Sequence, residues 1–324
     1  MENGSIVACI FLPHTLFWKT NINQLILDYL TLVAFIISIM NLSCVILTYA
    51  IFSELRHLPG KNILNLSTSL ILAQILWLAA VGHPYTPTSC KVVAIVEHYL
   101  FLVSFFAMAI IAFHSRSVFA SKQVSRGVSR LKETKMFLKY FAIVWGTPAI
   151  FALTCGLIDN QGVYAIYVHK QMQVCWFNNE KAQLYFFVLP VGFSLTFNIV
   201  FFVLTVIHIS RQRAETSILR TSNSPHEHHK KIIWVYVKLS TLMGFSWLFG
   251  CLDILIHSTP VFSYLFVIFA SLQGLYIAVA FVFNKRIFKL YRQLVRKKRT
   301  SRRKTNNDCN STLSKFGNTR ETKL

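Results

Sequence analysis

Seven long apolar stretches, separated by polar and charged segments, dominate the hydrophobic pattern of this chain. They run over Ile26–Phe52, Asn62–Gly82, Cys90–Phe119, Met136–Ile158, Ala182–Ile209, Ile232–Ile256 and Val261–Asn284. Each has the roughly 20 mainly apolar residues that a helix needs to cross a ~30 Å hydrocarbon core. The fifth is free of charge from Ala182 to Ser210. The sixth carries Lys238 and Asp253 near its two ends, where a long basic side chain can reach the headgroups. Segments of about ten residues with alternating polarity, the mark of a membrane barrel, do not occur. The pattern predicts an all-α membrane protein, a seven-transmembrane helix bundle over residues 26–284.

The basic residues set the expected orientation, because cytoplasmic loops collect Lys and Arg. With the N-terminus outside, only Lys19, Lys91, Lys170 and Lys181 lie on the outer side. Of the 33 Lys and Arg, 28 fall on the inner side and Lys238 lies within a span. The chain is therefore expected in the plasma membrane as a multi-pass protein, N-terminus extracellular and C-terminus cytoplasmic. Residues 1–25 form a short extracellular segment with no basic n-region, and the first span is expected to act as its own insertion signal. After the last span, Ile287, Phe288, Leu290, Tyr291, Leu294 and Val295 recur at helical spacing among basic residues. This predicts a short amphipathic eighth helix over 285–299, lying on membrane lipid, followed by a disordered cytoplasmic tail over 300–324.

Composition agrees. Apolar residues make up 54% of the chain and charged residues 14%, against about 25% charged in soluble domains. A net charge of +21 would suit a nucleic-acid binder, but the basic residues lie between apolar spans and in the tail, so no nucleic-acid partner is expected.

Of seven cysteines, Cys44, Cys155 and Cys251 fall inside spans and Cys309 in the cytoplasmic tail. Cys9, Cys90 and Cys175 face the oxidising side, where disulfides persist. A Cys90–Cys175 bond would pin the second outer loop across the bundle, leaving Cys9 as the odd thiol. His226-Glu227-His228-His229 lacks the spacing of a zinc motif, and Gly244-Phe245-Ser246-Trp247-Leu248 breaks the nucleophile-elbow pattern. Neither an enzyme nor a metal or cofactor is indicated. Ionisable groups within spans are functional candidates. Glu97 and His98, about two turns in from Cys90, and Asp253, near the outer end of the sixth span, could line one pocket open to the outside. Pro148 and Pro190 remove helical hydrogen bonds in the fourth and fifth spans. Gly244 and Gly250 bracket Trp247 in the sixth.

Motifs along the chain then suggest a family. The third span ends Ala112-Phe113-His114-Ser115-Arg116 and the seventh ends Phe281-Val282-Phe283-Asn284-Lys285, which are not the rhodopsin-like patterns. Leu64-Asn65-Leu66 with Leu72-Ala73-Gln74, His98-Tyr99-Leu100-Phe101-Leu102, Trp145-Gly146 with Pro148, Asn198-Ile199-Val200-Phe201-Phe202, Trp247-Leu248-Phe249-Gly250 and Ser271-Leu272-Gln273-Gly274 occur in order. This series resembles the secretin-like (class B) G-protein-coupled receptors, in particular the adhesion and Methuselah-like branches, over roughly residues 30–295. Ile63 stands where many hormone-receptor relatives carry His, and Ala107 where Methuselah-like proteins often carry Trp. His14-Thr15-Leu16 resembles the adhesion cleavage motif only in part.

The resemblance implies a receptor that passes an extracellular signal to a heterotrimeric G protein by opening its cytoplasmic helix ends. It implies an extracellular ligand or tethered agonist, with Glu97, His98, Trp247, Asp253 and Gln273 as pocket candidates. It marks Trp247, Gly250, Gln273 and Gly274 as a switch, with Trp247 facing Gln273 and Gly274. Arg116, Lys231 and Lys285 would lie near the G-protein face. The alternatives are a membrane transporter or channel, which would want facing charges near the midplane, and a non-signalling seven-span protein.

Overall fold

The computed structural model describes residues 22–80, 86–120, 130–167, 175–218, 249, 261–284, 286–296 and 299–300. Among these, α1 spans Ile22–Ile51, α2 Leu58–Ala80 and α3 Pro87–Ala120. The next apolar stretch is α4 (Arg130–Phe141), a π-helical turn (Ala142–Gly146) and α5 (Thr147–Asn160) in sequence. The following one is α6 (Glu180–Gln183), a second π turn (Leu184–Val188) and α7 (Leu189–Ile218). The last is split into α8 (Val261–Ser271) and α9 (Gln273–Phe281).

Among the described residues, five helices are long and apolar enough to cross a membrane, and the α8–α9 pair, bent by 47°, makes six if read as one span. The sixth expected span, Ile232–Ile256, lies outside the described residues except for Phe249, which stacks on Phe269 at 5.5 Å.

Helices suit this environment because they satisfy their backbone groups internally. Several polar side chains within them follow the same rule. Thr31, Asn41, Ser43 and Thr48 each donate to the carbonyl four residues earlier at 2.7–2.8 Å. Thr154, Thr196 and Thr205 do likewise. Each hydroxyl thus needs no partner from another helix.

The third span is the centre of the bundle: 67% of its apolar window is buried, against 28% for the first and 22% for the fourth and fifth. It packs against α2, α5 and α7, while α1 packs against α2 and α8. The two prolines that predict helix breaks sit just past the π turns. Leu189 N–H donates to Leu184 five residues back, one residue before Pro190. Each π turn sits where a proline leaves a carbonyl without its helical donor. The seventh span, expected to run unbroken to Asn284, instead bends at Leu272, with no proline there. The Gly274 N–H leaves the helical ladder and goes to the Ser38 hydroxyl at 2.9 Å, and that exchange accompanies the bend.

Residues Val279–Leu324 form a separate compact unit, in which residues 286–296 are helical.

Candidate functional site

The features that could receive a ligand gather where α3 begins and α5 ends. Cys90, in the first turn of α3, is disulfide-bonded to Cys175. The segment around Cys175 is thereby held against the helix bundle, the placement expected from the sequence.

A second anchor was not singled out in the sequence. At the end of α5 the chain turns at Gly162, whose φ of +70° is the left-handed conformation glycine adopts readily. It then doubles back, so that the backbone N–H groups of Ile166 and Tyr167 donate to Asp159 Oδ1 at 2.7 and 3.1 Å. The other carboxylate oxygen of Asp159 meets Lys91 Nζ at 2.6 Å. One fully buried carboxylate therefore ties the start of α3 to the loop after α5. The loop is continued by a β-bridge between Tyr167 and Phe177, and Asn178 N–H donates to the Ile166 carbonyl at 2.8 Å.

His98 is the third anchor. Its Nδ1 lies 2.8 Å from the Tyr167 hydroxyl, and the imidazole is fully buried. Burial first, then neighbouring Cys155 and Asp159, push the Tyr167 phenol above its ordinary range. The hydroxyl therefore keeps its proton and can donate it to the ring nitrogen. Around this pair, Trp176 meets Trp77, Phe101, Phe177 and Phe187 edge-on at 5.0–6.0 Å. Such edge-to-face contacts are favourable beyond their buried area, and here they plug the loop into the bundle.

Beneath the plug lies a cavity lined from α1 by Thr31 and Phe35 and from α2 by Leu70 and Gln74. From α3 it is lined by Phe101, Ser104, Phe105 and Met108, and from the last span by Phe266, Ser271 and Gln273. Gln74 Oε1 has no hydrogen-bond partner among the described residues. Glu97 is buried one turn nearer the disulfide than Phe101, and neither of its carboxyl oxygens has a hydrogen-bond partner there.

Of the sequence-chosen residues, the structure gathers Cys90, Cys175 and His98 around the loop. Gln273 lies in the cavity wall, and Gly274 lies against Ser38. Trp247, Gly250, Asp253, Lys231 and Lys285 lie outside the described residues. Arg116 is half-buried at the opposite end of α3, and its Nη1 lacks a hydrogen-bond partner among the described residues. Sequence reasoning missed Asp159, Lys91, Tyr167 and Ser38. A lone carboxylate closing a span beside a basic residue opening another was the available signal for the first two.

A sequence model described as 7 transmembrane receptor (Secretin family) matches residues 24–277, most of the chain. The chain belongs to the secretin family of seven-transmembrane receptors. This secretin-family receptor is 27% identical over 291 residues to the Adhesion G protein-coupled receptor L1 of Mus musculus, covering 89% of this chain and 18% of the relative. It is 26% identical over 258 residues to the Adhesion G-protein coupled receptor D1 of Bos taurus, covering 79% and 27%. It is 24% identical over 252 residues to the Adhesion G protein-coupled receptor L4 of Homo sapiens, covering 78% and 34%. The chain thus spans about a third or less of the length of these relatives. Its family is one of receptors, not enzymes, and its kinship lies with the adhesion group.

Proposed function

We propose that this protein transduces an extracellular signal to a heterotrimeric G protein. The family match over residues 24–277 carries the reading. In it, the N-terminus is extracellular and the C-terminus cytoplasmic, as the distribution of Lys and Arg favours. The pinned loop is then the second outer loop, and the cavity beneath it, lined in part by Gln273, is the core of the ligand pocket; Glu97, His98, Trp247 and Asp253 are its further candidate residues, the last two outside the described residues. Trp247, Gly250, Gln273 and Gly274 form the switch.

At the inner end, Arg116, Lys231 and Lys285 face the G protein. To move a resting population from 1:99 to 99:1, the ligand must favour the active state by about 5.5 kcal/mol.

The test is resonance energy transfer between Gα and Gβγ in cells expressing the full chain, run across a panel of heterotrimers and normalised to surface receptor. Subunit separation above receptor-free cells for at least one heterotrimer is expected. Trp247→Ala should change that normalised signal more than it changes surface expression. No separation with any heterotrimer, at wild-type surface expression, would remove the reading.

A further inference from the structure

We infer that Glu97 is the recognition group for a cation, and that the ligand of this receptor carries a protonated amine on an apolar body. The inference rests on the receptor reading above and adds the chemical class of what the pocket takes.

Glu97 is 1% exposed, yet neither carboxyl oxygen has a hydrogen-bond partner among the described residues. The other buried carboxylate among the described residues differs sharply. Asp159 holds two backbone N–H groups and Lys91. A carboxyl group removed from water with no partner is costly, and such groups within membrane spans mark binding paths. His98, the next residue, is already committed to Tyr167 and faces the ring cluster of Phe151, Phe177 and Phe187.

Position supplies the second observation. Residues 97, 101, 104 and 108 follow one another at helical spacing, so Glu97 shares a face of α3 with Phe101, Ser104 and Met108. Those three line the cavity, and Glu97 stands one turn toward the disulfide from it. The cavity wall adds Phe35, Phe105 and Phe266, aromatic side chains of the kind that attract a cation and pack an apolar group. A buried carboxyl group one helical turn from a cavity walled by aromatic side chains suits an ammonium joined to a short apolar or aromatic body.

The probe is benzylamine, protonated at neutral pH, against benzyl alcohol, which has the same ring and no charge. Thermal unfolding of the purified full chain in lipid nanodiscs is followed with each compound at equal concentration. Benzylamine is expected to raise the midpoint by about 2 °C more than benzyl alcohol, the linkage expected for binding to the folded state. Glu97→Gln should abolish that difference, and Glu97→Asp should retain part of it. Equal shifts for the two compounds on the wild-type chain, or an undiminished amine preference in Glu97→Gln, would overturn the assignment. If Glu97→Gln does not fold, the wild-type comparison and Glu97→Asp still decide. No G protein enters this assay, so its outcome is separate from that of the coupling experiment.

Discussion

The hydroxyl of Ser38 accepts the backbone N–H of Gly274 at 2.9 Å, joining the first span to the last where the last one bends. The two backbones approach so closely there that only glycine fits. A Cβ on Gly274 would lie 2.4 Å from the Ser38 carbonyl oxygen and 2.5 Å from its hydroxyl oxygen.

Two variants separate the contact from the close approach. Ser38→Ala leaves a buried N–H without its acceptor, a cost of about 1–3 kcal/mol. Gly274→Ala meets backbone, which no rotamer change relieves, and should lower the thermal midpoint further. Combining them should not restore the wild-type midpoint, because the Ser38 carbonyl remains in place. Recovery in the double variant would show that the hydroxyl alone makes the site tight.

The Asp159–Lys91 pair gives a second prediction. Asp159→Ala removes the acceptor for Ile166 and Tyr167 and leaves Lys91 without its counter-charge. Lys91→Met leaves Asp159 with both backbone donors. Loss of one partner of a buried pair costs about 3–5 kcal/mol, and the Lys91 side chain is partly exposed, so its loss should cost less. Thermal unfolding should rank wild type above Lys91→Met and Lys91→Met above Asp159→Ala. The reverse order would mean that a buried Asp159 carboxylate stripped of Lys91 costs more than losing the backbone caps and the pair together.

Five of the expected spans were legible because membrane hydrocarbon imposes length and polarity on a continuous segment, as the expected Ala182–Ile209 illustrates against the observed Lys181–His208. Cys90–Cys175 was legible because compartment limits which thiols can pair. Ser38 was not. It reads as one more hydroxyl in an apolar helix, and its partner is 236 residues away. Asp159 was hidden for a related reason: a carboxylate at a helix end usually faces water, and only the return of the chain after Gly162 brings Ile166 and Tyr167 onto it. The bend at Leu272 has no proline to announce it and coincides with the contact to that same distant Ser38.

Orientation can be tested on its own. An epitope on the N-terminus should stain intact cells, and one on the C-terminus should stain only after permeabilisation. The opposite pattern would reverse the assignment of the disulfide end to the outside.

A peptide of residues 285–299 should bind vesicles containing anionic lipid more tightly than neutral vesicles. Each basic residue near such a surface contributes about 1 kcal/mol, and Phe288, Leu294 and Val295 are exposed apolar side chains on the described helix. Equal binding to both vesicle types would leave this segment a helix without a membrane role.

The last prediction concerns Phe187, which the second π turn directs into the ring cluster. It is 1% exposed and meets His98, Phe101, Phe105, Trp176 and Phe177 with ring centres 5.4–6.4 Å apart. Tyr185, in the same turn, is 57% exposed. Phe187→Ala should therefore cost about 3–5 kcal/mol, the range for emptying a buried aromatic site, while Tyr185→Ala should cost far less. Pro190→Ala restores a backbone donor that could let the helix return to regular α geometry, but doing so would turn Phe187 away from its five partners. Those contacts should prevail, leaving Pro190→Ala close to wild type in both thermal midpoint and near-ultraviolet circular dichroism, where Trp176 reports on the cluster. A large change in the Pro190→Ala spectrum would mean that the missing donor, rather than the ring packing, sets the π turn. Equal losses for Tyr185→Ala and Phe187→Ala would count against the cluster as the seat of loop stability.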